Sequence, residues 1–182
     1  MDDSTRDGRH RNVLVAGLVA VVVALAVGAA VVGFGRRDGS SASVPRDVGT
    51  VTSIIDGDTI VVDIVGRREH VRLIGINTPE THVDNGPPEC YGPEATDFTA
   101  SLLAIGSEVH LVRDVVGRDV YGRLLAYVYR SSDDLFVNEA VVAGGYARVL
   151  TIPPNDAFAG QLADDAAAAA ADGLGLWHAC GG

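Results

Sequence analysis

The chain of 182 residues contains no lysine, so arginine carries all of its permanent positive charge. From Val44 onward there are 20 aspartate and glutamate residues against 9 arginines, which gives this region a net charge of −11. A surface of this sign slows the encounter with a polyanion and makes it sensitive to salt. The composition therefore counts against a protein that coats nucleic acid without regard to sequence. It does not exclude an enzyme with a local cationic site.

Cysteine is also scarce, since the chain has only Cys90 and Cys180. No cluster of histidine and cysteine indicates a zinc site. In an oxidising compartment outside the cytoplasm, an even number of cysteines favours a disulfide. Here such a bond would enclose a long loop of the chain. Two free buried thiols are the alternative.

A long apolar run is present near the N-terminus, where residues 13–34 include no charged side chain. Its 22 residues are enough to cross a bilayer as a helix. We therefore expect residues 13–34 to form an uncleaved transmembrane anchor, residues 1–12 a short cytoplasmic tail, residues 35–47 a flexible linker, and residues 48–182 a domain outside the cell membrane. Cleavage of the apolar run as a signal peptide, near Gly28-Ala29-Ala30, is the alternative and would give a secreted protein.

The rest of the chain predicts an α+β domain. β-Branched and alternating segments predict strands at residues 49–55, 59–65, 70–76, 108–113 and 123–130. Capping residues and apolar stripes predict helices at residues 93–104, 136–143 and 155–172, with Asn155 as the N-cap of the last. Five strands with one helix inserted after the third suggest a small, partly open barrel of the OB type. Such barrels commonly bind oligonucleotides on one face.

Three short segments supply oxygen ligands, a carboxylate and two arginines. They are Asp56–Thr59, Arg72–Thr81 and Asp119–Arg123. The Asp58 carboxylate, the Asn77 side-chain oxygen and the Thr78 backbone carbonyl would form a sparse, water-rich site of the kind that Ca²⁺ accepts. Taken alone, Asp-Gly-Asp and Asn-Thr-Pro are common turn formers.

The remaining polar side chains of these segments suit phosphate chemistry. Glu80 follows a proline and could receive a proton from an attacking water. Arg72 and Arg123 could each donate two hydrogen bonds to one phosphate, and Tyr121 could stack on a base. In the alternative interpretation, Glu80 is a solvated loop acid and each of the two arginines forms a surface ion pair. Tyr121 is then an aromatic residue packed in a turn.

In this order and at these separations, the three segments resemble the staphylococcal (micrococcal) nuclease family of thermonucleases. The likeness extends from Val48 to Trp177 and includes Val137–Ala140 and Gly173–Trp177. The resemblance implies a calcium-dependent nuclease that cleaves DNA and RNA and leaves 3′-phosphates, and we expect its domain to be a monomer. It assigns calcium to Asp58, Asn77 and Thr78, and catalysis to Arg72, Glu80 and Arg123.

The chain departs from the type enzyme of that family at several positions. The type enzyme has aspartate in place of Asn77, so calcium should bind more weakly here. It also has tyrosines in the segment that corresponds to Leu150–Pro153, and it lacks both cysteines. Asn77 and the acidic surface keep open an alternative, in which the same barrel has a degenerate site and only binds oligonucleotides or a protein. The intact Arg72, Glu80 and Arg123 argue against that alternative.

Overall fold

The computed structural model describes residues 46–83 and 86–181. The predicted tail and the apolar run at residues 13–34 lie outside the described residues, as does most of the predicted linker. Arg46 and Asp47, which the linker prediction included, belong to the first strand. None of the helices in the described part has the length and apolar character needed to span a bilayer.

Eight strands and four helices make up the described part of the chain. The strands are β1 (Arg46–Asp56), β2 (Thr59–Ile64), β3 (Arg67–Leu73), β4 (Gly75–Asn77), β5 (Glu108–Val112), β6 (Leu124–Arg130), β7 (Leu135–Phe136) and β8 (Arg148–Leu150). The helices are α1 (Gly92–Leu102), α2 (Val137–Ala143), α3 (Ala159–Ala171) and α4 (Leu176–Ala179).

Five of these strands close into a barrel. Their order is β3-β2-β1-β5-β6, and a parallel pairing of β3 with β6 joins the two edges. Closure removes the free edges of the sheet and encloses side chains such as Val71, Leu111 and Leu124, which are at most 1% exposed. The predicted α+β fold with a five-stranded OB-type barrel is therefore confirmed for the described residues.

The third predicted strand, at residues 70–76, is wrong in its extent. It begins earlier, at Arg67, because Val65 and Gly66 alone make the preceding turn, both with positive φ. It also breaks at Gly75, where φ is 83°, and the chain continues as β4, which pairs with β8. A Cβ at Gly75 would lie 2.6 Å from a terminal methyl of Leu162 in α3, and the positive φ itself favours glycine there.

The helix boundaries also differ from the prediction. The first helix ends at Leu102, and α4 is a single turn that the sequence did not predict. The last long helix begins at Ala159, so Asn155 is not its N-cap. The Asn155 amide is used elsewhere, because its oxygen accepts from the Val116 N–H at 2.7 Å and its nitrogen donates to the Val116 carbonyl at 2.8 Å.

A disulfide joins Cys90 to Cys180, with an S–S distance of 2.05 Å and a Cα–Cα distance of 5.9 Å. It connects the loop before α1 to the residue that follows α4. The two segments are 90 residues apart in sequence, so the bond closes a large loop of the chain.

Candidate active site

A cavity of about 660 Å³ opens beside β3 and β4. Five of the predicted site residues contribute to its lining: Arg72, Asn77, Glu80, Tyr121 and Arg123. Residues that are 51 positions apart in sequence thus meet at one concave surface, because β3 and β6 pair side by side and the loop before β6 folds over the same opening. The other two predicted ligands, Asp58 and Thr78, are buried in the protein.

The turn between β1 and β2 is held against the end of β4. Asp58 is 3% exposed, and its carboxylate accepts a hydrogen bond from the Thr78 N–H at 2.9 Å. Its backbone N–H donates to the Asp56 carboxylate at 3.1 Å, which is an Asx turn. A Cβ at Gly57 would lie 2.7 Å from the Thr78 side chain, so glycine permits this contact. The predicted ligand segments are therefore neighbours in the fold.

Arg72 is fixed by four acceptors around its guanidinium group. Its NH2 nitrogen lies 2.8 Å from the Asp58 carboxylate and donates to the Asn77 side-chain oxygen at 3.0 Å. Its NH1 nitrogen donates to the carbonyls of Leu73 at 2.7 Å and Ile76 at 3.0 Å. The NH2 nitrogen is therefore next to the two side-chain oxygens that were predicted to bind calcium. The NH1 nitrogen bonds to carbonyls on both sides of the β3–β4 break and stabilises it.

The electrostatics of this pair reflect its burial. Burial raises the pKa of the Asp58 carboxyl to about 7, against the opposing effects of the Arg72 charge and the Thr78 N–H. The nearby Asp56 carboxylate raises it further. Burial also lowers the pKa of the Arg72 guanidinium, while Asp58 acts in the opposite direction. A positive charge next to Asp58, such as the Arg72 guanidinium, favours its ionised form.

Glu80 lies on the exposed side of the cavity and is held by its backbone. Its N–H donates to a Glu89 carboxylate oxygen at 3.0 Å, and its carbonyl accepts from the Glu89 N–H at 2.9 Å. Partial burial and the Asp56 charge raise the pKa of the Glu80 carboxyl, while the charges of Arg72 and Arg123 lower it. The Glu80 carboxylate accepts no hydrogen bond from the described residues, so it is available to a water molecule.

Arg123 is oriented by Asp119 from the same turn. The Arg123 Nε donates to one Asp119 oxygen at 2.7 Å, and the other oxygen accepts the backbone N–H groups of Arg123 and Tyr121 at 2.9 and 3.0 Å. Burial raises the pKa of Asp119, but its bonds to Arg123 outweigh that effect and lower it. This contact uses the Nε edge of the guanidinium and leaves its terminal nitrogens for a ligand in the cavity.

Tyr121 and an aliphatic wall complete the opening. Tyr121 is 82% exposed, and the Arg123 guanidinium carbon lies 5.5 Å from the centre of its ring. The wall includes Leu150 and Ile152, which are 40% and 65% exposed. An exposed aromatic ring and aliphatic side chains next to two arginines offer apolar contact to a ligand that also carries negative charge.

A calcium ion fits the chemistry of the donors, although they are few. No cluster of three or more His, Cys, Asp or Glu side chains suited to a metal exists within residues 46–83 and 86–181. The donors near Arg72 are instead one carboxylate, one amide oxygen and one backbone carbonyl, from Asp58, Asn77 and Thr78. All are oxygens, as Ca²⁺ requires, and the Arg72 guanidinium between two of them shows that a positive group is accepted there.

Three residues that support the site were not assigned a role from the sequence. Asp119 orients Arg123, and its position two residues before a Tyr-Gly turn is an Asx-turn pattern that could have revealed it. The Thr99 hydroxyl donates to the Gly57 carbonyl at 2.7 Å and ties α1 to the β1–β2 turn.

The third supporting residue is Asn138, which is fully buried. Its side-chain oxygen accepts from the Val128 N–H at 2.9 Å, and its nitrogen donates to the Ile74 carbonyl at 2.8 Å. It thereby holds the β3–β4 break to β6. A single asparagine at the start of a short helix gives no signal of this role, because its partners are 10 and 64 residues away.

Comparisons with known proteins show the family to which this fold belongs. A family model described as "Staphylococcal nuclease homologue" matches residues 70–179. The thermonuclease of Staphylococcus intermedius is 38% identical over 141 residues, which cover 78% of this chain and 82% of that protein. The thermonuclease of Staphylococcus hyicus is 43% identical over 105 residues, 58% of this chain and 60% of that protein.

A relative from another genus has a similar level of identity. Endonuclease YncB of Bacillus subtilis (strain 168) is 37% identical over 134 residues, which cover 72% of this chain and 62% of that protein. The chain therefore spans a little under two thirds of some of these relatives and about four fifths of the S. intermedius protein. With the family model matched over more than half of its length, the chain belongs to the staphylococcal nuclease family.

Proposed function

We propose that this protein is a nuclease that hydrolyses the phosphodiester bonds of DNA, and of RNA, with calcium. The observation on which the proposal depends is the cavity shared by Arg72, Glu80 and Arg123. Two cationic donors and a carboxylate around one opening match the needs of phosphodiester hydrolysis. The relatives named thermonuclease and endonuclease support the same reaction.

Arg123 and Glu80 have the clearest roles in this reaction. The terminal N–H groups of Arg123 donate to two phosphate oxygens, where negative charge grows in the transition state. Asp119 fixes the guanidinium beforehand, so little reorganisation is required during the reaction. The Glu80 carboxylate accepts a proton from the water that attacks phosphorus, or orients that water. Tyr121 stacks on a base next to the scissile bond.

Arg72 requires a rearrangement before it can bind a phosphate. Its NH1 nitrogen donates to two backbone carbonyls, and its NH2 nitrogen donates to Asn77 and also lies 2.8 Å from the Asp58 carboxylate. The two oxygens next to NH2 belong to Asp58 and Asn77, which are also proposed ligands of calcium. Occupation of these oxygens by a cation would free NH2 to donate to a phosphate oxygen.

Calcium would be held by Asp58, Asn77 and Thr78, together with water. When bound, it would supply positive charge that offsets the charge of the phosphate. Asn77 provides an oxygen without a negative charge, so we expect weaker binding than at a site with two carboxylates. The donor set of this chain therefore predicts a nuclease that needs more free calcium for half-maximal activity than a relative with aspartate at this position.

The decisive experiment is cleavage of a fluorescent oligonucleotide by the purified domain, in calcium and in chelator. We expect cleavage in calcium only, and loss of about two or more orders of magnitude of kcat in Glu80→Gln and Arg123→Gln. Arg113→Gln is the matched control, because Arg113 forms a surface pair with Asp47. Oligonucleotide binding without cleavage in any divalent metal would instead show that the barrel has a degenerate site and only binds nucleic acid.

We also propose that the domain acts outside the cytoplasmic membrane, tethered by residues 13–34. The disulfide supports this location, since such bonds persist in oxidising compartments. Digestion of intact cells with an external protease should remove the domain. A mature N-terminus near residue 30 in the culture medium would instead establish a secreted protein.

A further inference from the structure

The candidate base Glu80 is bound by its backbone to a single residue of the following loop. The Glu89 carboxylate accepts the Glu80 N–H at 3.0 Å, and the Glu89 N–H donates to the Glu80 carbonyl at 2.9 Å. Both peptide groups that flank the Glu80 side chain therefore depend on Glu89. The orientation of these peptides fixes the direction in which the Glu80 side chain leaves the backbone, and no hydrogen bond from the described residues fixes the carboxylate further.

Glu89 is in turn held by a covalent bond at the next residue. Cys90 is joined to Cys180, whose N–H donates to the Leu176 carbonyl at 3.0 Å in α4. Leu176 is 1% exposed, and its N–H donates to the Gly145 carbonyl at 2.9 Å. The loop that carries Glu89 is thus attached to a buried part of the domain that does not border the cavity.

Two further contacts connect the segment of Glu80 and Thr81 to α1, which follows the Cys90 loop. The Thr81 and Thr96 hydroxyls are 2.6 Å apart, which joins the residue after Glu80 to α1. A Cβ at Gly92 would lie 2.5 Å from the Glu80 carbonyl oxygen, so the start of α1 also presses against this peptide. A movement of the loop near Cys90 would therefore be transmitted to Glu80.

We propose that Glu89 and the Cys90–Cys180 disulfide form a clamp that positions Glu80 for catalysis. The proposal rests on the proposed nuclease function and adds to it two positioning elements that do not touch the substrate. Glu89 acts through the Glu80 peptide, and the disulfide acts by restricting the loop from which Glu89 projects. Loss of either should disorient the Glu80 carboxylate without removing any group that binds phosphate.

This clamp predicts a specific kinetic signature. Misplacement of a catalytic group by about 1 Å can reduce a rate by about a hundredfold. The two arginines and their partners are not altered by a change at Glu89, so substrate binding should be preserved. We therefore expect a fall in kcat with little change in KM.

The first experiment compares three variants in the oligonucleotide cleavage assay. Glu89→Ala should lower kcat about ten- to a hundredfold and leave KM within about twofold. Glu89→Gln should recover most of the rate, because an amide oxygen still accepts the Glu80 N–H. Glu94→Gln is the control, since it removes the same charge from an exposed position in the first turn of α1 and should behave as the wild type. Equal rates for Glu89→Ala and the wild type would overturn the proposal, as would a loss confined to KM.

The second experiment measures the clamp without reference to catalysis. Amide hydrogen exchange at positions 80 and 89 should be at least about tenfold faster in Glu89→Ala and in the Cys90→Ser/Cys180→Ser variant than in the wild type. The double variant should also show reduced kcat at temperatures where circular dichroism reports a folded domain. Unchanged exchange at both amides would overturn the clamp.

The two experiments also separate this inference from the proposed function. A wild-type protein that cleaves, with a Glu89→Ala variant that cleaves equally well, refutes the clamp and leaves the nuclease intact. A wild-type protein that cleaves nothing refutes the nuclease, and with it the catalytic role of the clamp, whatever the exchange rates are.

Discussion

Replacement of Asn138 by alanine should destabilise the whole domain through two buried backbone groups. In the folded protein the Asn138 amide is the partner of the Val128 N–H and of the Ile74 carbonyl, at 2.9 and 2.8 Å. Asn138 itself is 0% exposed, so water cannot take its place without a rearrangement. The variant would leave a donor and an acceptor without partners inside the protein.

The magnitude follows from the number of groups that lose a partner. Each buried group left unsatisfied costs about 1–3 kcal/mol, so the pair should lower the free energy of unfolding by about 2–6 kcal/mol. A domain of this size has a total stability of about 5–15 kcal/mol. The change should therefore consume a large part of the stability and leave some molecules unfolded at physiological temperature.

Urea unfolding measures this change directly. Trp177 is the single tryptophan of the chain, and its fluorescence can be followed together with circular dichroism. Gln161→Ala is the control, because its amide donates to Glu139 at 2.8 Å on the exposed surface and should contribute less than about 0.5 kcal/mol. A loss below about 1 kcal/mol in Asn138→Ala, with the slope of the unfolding transition unchanged, would refute the reasoning.

Three other predictions test separate parts of the structure. Removal of the disulfide in Cys90→Ser/Cys180→Ser should lower the free energy of unfolding by up to about 4.6 kcal/mol, because the bond closes a loop of 90 residues; a thermal shift indistinguishable from the wild type would contradict this. Asp119→Ala should lower kcat about tenfold because Arg123 loses its orienting partner, and an unchanged rate would show that the arginine orients itself. Gly75→Ala should lower the free energy of unfolding in urea by about 1–3 kcal/mol, because φ is 83° there and the added Cβ would lie 2.6 Å from a Leu162 side-chain atom of α3. An unchanged free energy of unfolding would show that β4 and α3 can move apart without cost.

Local chemistry made much of this protein readable from its sequence. The Asp56-Gly57 turn between two β-branched segments predicts the first hairpin, because only short-range steric preferences are involved. The order and separation of the three polar segments indicate the family, and a model of that family matches residues 70–179. The position of most strands follows from alternation, since one face of each strand must enter the barrel.

Contacts between distant residues set the limits of that prediction. The break of the third strand at Gly75 lies against α3, and the role of Asn138 depends on the Ile74 carbonyl at that break and on the Val128 N–H of β6. Neither partner is near in sequence, so no local pattern reports them. The sequence also predicted Arg72 as a phosphate ligand. In the folded protein, however, its terminal nitrogens already contact oxygens of the protein.

The sequence by itself determined which chemical groups the domain has and which elements carry them. Only the tertiary structure decided that Arg72, Glu80 and Arg123 border one cavity, because the parallel pairing of β3 with β6 closes the barrel and brings the loop before β6 to the end of β3. A side chain's identity and local conformation are encoded by its neighbours in the chain. Its position relative to a distant side chain depends on how the whole core packs.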